Sequence, residues 1–515
     1  MLIIGGLVAA IIALLLVGGG AVLAYRMLLG HEDRATAAYA PPDSVIYVAA
    51  NTDPTSRAWL DAWRLARRAG IDDELARLPE DELAEAGEDP SLWDELIRPA
   101  IGREVGLAVW QPAGQDSPEV AFIVMVADEG AATRAIDRVL DGQSPESQTY
   151  RDLTYQIGDN DNAVGIVDEA LVVATGGDAF ERVIDARRDG ALDDVDRFSE
   201  VASRSDDDPL VFAYADGPAI ATLARSSPGA AAGISLDDAA LESYDAAGRI
   251  AFTIKARSDG LRFVALTDGR PAGFPTGPAG DPLANDMPAS TIFYLAGVDL
   301  YDAIWRPAAE QAQAMSDALE SRGVTSPDRL DSLGIGADDP LLAHLTGQYA
   351  LAVAAQSDDS NPFGASGELR FSSQLDDAAA VQMAVDDLAA TLQEIGVPLT
   401  REVDGFSVSG SGVPIFAGVR VVDGLSVSVR LGDPLGGATL AGDEGFAALM
   451  GDVPDDASMI GYLALDRLIG LVPEDEWGDV SPAARATLEA LGPLGWSITA
   501  DGDGLRSEVV LLVPE

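Results

Sequence analysis

The sequence predicts an α+β protein: an N-terminal transmembrane helix followed by two tandem copies of a mostly antiparallel sheet with helices packed on one face. Three observations predict it. The chain opens on a run without charge from Leu2 to Tyr25. One pattern of residues is written twice at a nearly constant spacing. Short β-branched and aromatic runs joined by Asp-Gly pairs alternate with stretches of helical periodicity.

The opening run sets the first element. Its 24 residues, at about 1.5 Å of rise each, reach roughly 36 Å and can cross a hydrocarbon layer of about 30 Å. A cleaved signal peptide carries a shorter apolar stretch, although Val22-Leu23-Ala24 resembles a cleavage site. An uncleaved anchor over residues 1–26 is the reading adopted, with the lipid bilayer as partner of Leu2–Tyr25. Residues 27–40 follow as a juxtamembrane linker. Arg26 and Arg34 after the span argue for a cytoplasmic body. Glu32 and Asp33 on the same flank offset them, and the opening Met-Leu-Ile-Ile leaves room for a basic leader upstream, so the body is placed outside the cytoplasm.

The body reads as a duplication. Pro42-Asp43-Ser44-Val45-Ile46-Tyr47 is echoed by Pro288-Ala289-Ser290-Thr291-Ile292-Phe293, 246 positions on, and Asp53 and Trp59 match Asp299 and Trp305 at the same spacing. Gly106-Leu107-Ala108-Val109 resembles Ala350-Leu351-Ala352-Val353, and Asp259-Gly260-Leu261-Arg262 recurs as Asp503-Gly504-Leu505-Arg506, both 244 positions on. Copies are therefore expected at 41–269 and 287–515, joined by a Pro/Gly-rich linker at 270–286.

Within each copy one order of elements is expected. A strand (Val45–Ala49; Thr291–Leu295) leads into a helix, marked in the second copy by Tyr301, Ile304, Trp305, Ala308, Ala312, Met315 and Leu319. Strands at Val105–Trp110 and Val120–Val126, and at Tyr349–Ala354 and Glu368–Phe371, come next. A second helix carries Ala132, Ala135, Ile136 and Val139, or Val381, Val385, Leu388 and Leu392. Hairpins follow at Asp259-Gly260, Asp404-Gly405, Asp423-Gly424 and Asp503-Gly504, since both residues of the pair tolerate positive φ.

Composition excludes more than it assigns. With 85 acidic and 33 basic residues, a formal charge of −52 repels nucleic acid. Lys255 is the only lysine. Acidity with arginine in place of lysine suits either a surface hydrated in high salt or a GC-rich coding sequence. There is no cysteine, hence no disulfide and no thiolate chemistry.

Tyr39-Ala40-Pro41-Pro42-Asp43-Ser44-Val45-Ile46-Tyr47-Val48, set after an N-terminal anchor and followed by Asp53 and the helix around Trp59, resembles a family of bacterial membrane-anchored proteins of unknown function. The resemblance covers most of the chain. It implies an extracytoplasmic, duplicated α+β body and brings no catalytic or binding residues with it.

A search for chemistry finds no catalytic, cofactor or metal site to expect. Two histidines, His31 and His344, do not make a zinc site of the usual kind. Gly405-Phe406-Ser407-Val408-Ser409-Gly410-Ser411-Gly412 lacks the second glycine of a nucleophile elbow and the lysine of a phosphate loop, and follows a turn pair. Lys255 lies in a strand-like run and is expected to point outward. Asp159-Asn160-Asp161-Asn162, Asp206-Asp207-Asp208 and Asp501-Gly502-Asp503 lack the glycine and glutamate of a calcium loop and read as solvated turns.

One cluster runs against the global charge: Arg57, Arg64, Arg67 and Arg68 crowd the first helix, whereas the second copy has Arg306 and then Arg322. The cluster suits a membrane- or partner-facing surface. Equally, it suits a solvated helix face paired through Arg57–Asp61 and Arg68–Asp72. Trp59 and Trp305 read as core anchors of their helices.

The function expected from these residues is a non-catalytic interaction or envelope-structure module, extracytoplasmic and held in the cell membrane by one pass. A cleft for lipid or another apolar ligand is the alternative, and a carboxylate-dependent hydrolase is the second.

Overall fold

The computed structural model describes residues 34–72, 101–112, 117–140, 143–159, 161–226, 238–270, 274–279, 282–299, 344–345, 347–357, 365–394, 396–409, 415–421, 424–431, 435, 437–472, 485, 488, 490 and 491–514. The expected span Leu2–Tyr25, His31, Asn160, Gly410–Gly412, and the helix bearing Trp305, Arg306 and Arg322 lie outside the described residues. Among the described residues no helix is long and apolar enough to cross a membrane. The chain divides into two compact units. One gathers the residues up to 271 with 501–508 and 513–515, the other 272–500 with 509–512.

The first unit opens with a 3-10 turn, Ala35–Tyr39, then β1 (Ile46–Asn51) and α1 (Arg57–Ala69). Next come β2 (Ile101–Trp110), β3 (Glu119–Val126), α2 (Glu129–Val139), and a meander of β4 (Glu146–Tyr150), β5 (Leu153–Ile157), β6 (Ala163–Val167) and β7 (Ala170–Ala174). The unit continues through α3 (Gly177–Asp189), α4 (Asp196–Ser203), β8 (Val211–Asp216), α5 (Gly217–Ser226), α6 (Asp238–Ala247), β9 (Arg249–Arg257) and β10 (Gly260–Thr267). Across its sheet the strands run β4-β5-β6-β7-β3-β2-β1-β8-β9-β10, every neighbour antiparallel.

The second unit holds β11 (Thr291–Val298), β12 (Gln348–Ser357), β13 (Ala365–Ser373), α7 (Ala378–Glu394), β14 (Leu399–Glu402), β15 (Gly405–Ser409), β16 (Ile415–Val421) and β17 (Leu425–Leu431). After these come α8 (Glu444–Met450), β18 (Met459–Leu463), α9 (Leu465–Gly470) and β19 (Leu494–Asp501), while β20 (Gly504–Leu512) is divided, 504–508 falling in the first unit and 509–512 in the second. Here the order is β14-β15-β16-β17-β13-β12-β11-β18-β19, again antiparallel throughout.

Local chemistry sets the boundaries. Ser56 caps α1 by accepting from the Trp59 N–H, and Gly70 closes that helix at φ 70°, a conformation that costs glycine least. Asp128 and Asp443 cap α2 and α8 in the same way. The Asp-Gly hairpins form where expected between β9 and β10 and between β14 and β15; β16 pairs with β17 as far as Val421 and Leu425, and Asp423 lies outside the described residues.

The expectation of helices on one face is corrected. Alternate residues of the same strands enter opposite cores in the first unit. Tyr47, Ala49, Trp110 and Ile123 pack with Phe180 of α3 and Phe198 of α4, whereas Ala50, Val105 and Val124 pack with Trp59 and Leu65 of α1. The second unit repeats the division, with Tyr294, Ala352 and Tyr462 against Phe446 of α8, and Phe371, Val419 and Val427 against Val381 and Val385 of α7. Strands apolar on both faces leave neither face able to meet water, so each needs a cover of helices.

Candidate functional site

A polar site lies in the first unit, between the 3-10 turn and β2. Residues 35–39, Ala-Thr-Ala-Ala-Tyr, offer small side chains that let the turn settle onto the sheet, and Thr36, Ala37 and Tyr39 are buried. The sheet makes room beneath it: a Cβ on Gly106 would collide with the Thr36 side chain, so close approach requires glycine there. Ala37, Tyr39 and Ala40, in a stretch read from sequence as the end of a linker, are part of the core.

Glu104 sits opposite Asn51 in the β1–β2 register, with 3% of its surface exposed. Its Oε1 accepts from the Thr36 N–H at 2.7 Å and from the Thr36 hydroxyl at 2.6 Å. The Tyr47 hydroxyl lies 2.8 Å from Thr36 Oγ1. A threonine has one hydroxyl hydrogen, so with Thr36 donating to Glu104, Tyr47 is the donor to Thr36. Burial pushes the Glu104 carboxyl up to about 7, against the opposing pull of the Thr36 hydrogen bonds and of Arg34. Burial, seconded by Glu104, also raises the Tyr47 phenol.

Arg34 closes the site. Its guanidinium lies 4.1 Å from the centre of the Phe212 ring, a cation over an aromatic face. It donates to the Ala202 carbonyl at 3.0 Å and to the Ser205 hydroxyl. Burial lowers its proton affinity, while Tyr47, Glu104 and Asp207 act to raise it. A cavity of about 350 Å³ opens here, lined by Arg34, Asn51, Glu104, Asp207, Asp208 and Phe212. A second, of about 410 Å³, lies along Arg34, Asp193, Phe198 and Ser199.

The groups around the cavity are engaged with the fold. Asn51 donates to Asp208 at 3.0 Å and accepts from the Ser56 hydroxyl at 3.2 Å. The other Asp208 oxygen accepts from the Ala58 N–H at 3.3 Å. Chemically, the arrangement secures an N-terminal strap, and burial strengthens the hold of the Glu104 carboxyl on its proton. Among the described residues no group of three or more histidines or carboxylates could hold a metal ion.

The sequence-predicted cluster is split by α1. Arg57 and Arg64 both face the buried Asp61, Arg57 at 3.8 Å. Arg68 donates to the Ser258 carbonyl at 2.8 Å, and Arg67 lies in the last turn, where the helix dipole favours a cation. Trp59 is buried, its indole N–H on the Asn51 carbonyl at 3.2 Å. Lys255 lies on β9 and donates to the Asp207 carbonyl at 2.6 Å. His344 Nδ1 is 2.9 Å from Asp376.

Sequence reasoning missed Arg34, Thr36 and Glu104. One signal was available, a glutamate at the head of the apolar run Val105–Trp110. A charge network was missed too: Arg262 meets Glu508, itself 3% exposed, at 2.5 Å, and Arg506 meets Asp206 at 3.3 Å.

Comparison with solved structures finds two crystal forms of TP0453, each 13% identical, covering 46% of this chain and 80% or 79% of that chain, at a TM-score of 0.25. A search of the curated proteins finds no match. Residues 7–404 match the family described as "Protein of unknown function (DUF3352)", and the chain belongs to that family.

Proposed function

We propose that the chain is a single-pass membrane protein with an extracytoplasmic body, built from two tandem copies of one antiparallel fold, that acts by binding a partner in the cell envelope and not by catalysis. The observation that carries this reading is the position of Arg34: the uncharged run Leu2–Tyr25 ends nine residues before it, and its guanidinium is fastened between Phe212 and the end of α4. A span so placed would hand its orientation directly to a folded unit. The commitment of Glu104, Thr36, Asn51 and Asp208 to one another favours binding over turnover, since a catalytic group must be available to substrate.

Duplication draws support from shared topology and shared detail. Matching strands take matching places in the two sheet orders. The Ser44 hydroxyl donates to the Pro41 carbonyl and the Thr291 hydroxyl to the Pro288 carbonyl, both at 2.6 Å. In this reading the surface of α1 that bears Arg57, Arg64, Arg67 and Arg68 meets lipid headgroups or an acidic partner, Arg57 and Arg64 sharing their charge with Asp61.

The test is topological. The full chain should stay with membranes through an alkaline carbonate wash, deletion of residues 2–25 should release it, and protease added outside intact cells should digest the body. A body fully shielded in intact cells, or a full chain freely washed off, overturns the reading.

A further inference from the structure

Residues 34–40 cross the first unit as a strap held at three places. At its start, Arg34 donates to Ala202 at the C-terminal end of α4, where the helix dipole favours a cation. In the middle, Thr36 gives both its hydrogens to Glu104. At its end, the Ala40 carbonyl accepts from the Leu192 N–H at 2.9 Å, and Arg187 lies 4.8 Å over the buried Tyr39 ring. An arginine keeps its charge throughout the ordinary range of pH, so the outer fastenings are constant. The middle one is not.

We propose that Arg34–Ala40 is a strap gated by pH, seated most tightly when Glu104 carries its proton and loosened at its middle as that proton leaves. The groups facing Glu104 decide the direction. Arg34 on the strap favours the carboxylate. Asp206, Asp207 and Asp208 before β8 line the same cavity, and Tyr47 on β1 adds no charge below its own raised range. Loss of water at a site 3% exposed outweighs Arg34 together with the hydrogen bonds from Thr36 and Ala35.

A carboxylate formed there demands hydration, and the adjoining cavity of about 350 Å³ has room to supply it. Water reaching Glu104 competes for the Thr36 donors. Every group in the device lies at or after Arg34, so the strap stands independently of the membrane anchor.

Hydrogen exchange read by mass spectrometry on the full chain in detergent micelles tests it, with exchange times corrected for intrinsic chemistry. Protection of residues 35–40 should fall roughly tenfold between about pH 5 and about pH 8, with its midpoint near 7, while β6 and β7 stay unchanged. Glu104→Gln should flatten the profile. Thr36→Val removes a hydrogen bond that favours the charged form, so it should move the midpoint upward. A flat wild-type profile overturns the proposal, as does a slope that survives Glu104→Gln or a midpoint unmoved in Thr36→Val. If Glu104→Gln does not fold, wild type and Thr36→Val decide between them.

Discussion

Tyr47 of β1 and Phe198 of α4 meet edge to face, ring centres 5.7 Å apart at 82°. In the second unit Tyr294 of β11 and Phe446 of α8 repeat the contact at 5.5 Å and 89°. Phe198 also reaches Phe212 and Tyr214, and Phe446 reaches Tyr462, so each phenylalanine pins a short helix to its sheet. Phe198→Ala and Phe446→Ala should each cost about 3–5 kcal/mol. Urea unfolding monitored by exchange in β1 and β11 should show the loss in the unit that carries the substitution.

Stability should depend on pH through Glu104. Its folded value, about 7, lies above the ordinary 4.5, so the folded state holds the extra proton between them. The contribution is complete below about 4.5 and is lost as pH rises through about 7, amounting to about 3 kcal/mol over that interval. Denaturant midpoints of wild type and Glu104→Gln should therefore diverge toward neutral pH, with the wild type falling. Parallel curves would show that Glu104 titrates alike in both states.

Gly461 on β18 lies beneath the Trp496 indole, and an added Cβ would fall inside the ring. Gly461→Ala should cost about 1–3 kcal/mol by forcing Trp496 off its neighbours, among them Phe293 at 5.8 Å. A red shift in tryptophan emission with a lowered melting temperature would register it, and an unchanged melting temperature would refute it.

Salt should stabilise the body. A formal charge of −52 on 515 residues makes self-repulsion a standing opponent of the compact state. Raising salt from about 0.1 M to about 1 M shortens the screening length from about 10 Å to about 3 Å. The melting temperature should climb across that interval in sodium chloride, and a flat profile would mean that the ion pairs already balance the surface.

Replacing Arg57, Arg64, Arg67 and Arg68 with Gln should weaken binding of residues 34–515 to anionic vesicles at low ionic strength. Because Arg57 and Arg64 both face Asp61, the Arg67→Gln single variant should account for more of the loss than Arg57→Gln. Unchanged flotation of the quadruple variant would leave the cluster a solvated helix face.

Much of the fold was legible locally. Strands such as Val120–Val126 and the turns at Asp259-Gly260 and Asp404-Gly405 follow from side-chain type and from which residues accept positive φ, and these depend on near neighbours. The site was not legible, because Thr36 and Glu104 are 68 positions apart. Nor was the register. The sequence motif aligns Tyr47 with Phe293, but the residue that faces a tyrosine across the sheet is Tyr294, opposite Tyr462 as Tyr47 is opposite Tyr214. A one-residue step in a strand exchanges the core face for the other.

The sequence by itself determined the acidic surface, the strand-and-hairpin chemistry and the uncharged leading run, since each is a property of neighbouring residues. Only the tertiary structure decided that helices cover both faces of the sheets and that Glu104 loses its water beneath the strap. The reason is physical: a carboxyl's hold on its proton depends on the dielectric and the donors brought around it, and segments distant in the chain supply both.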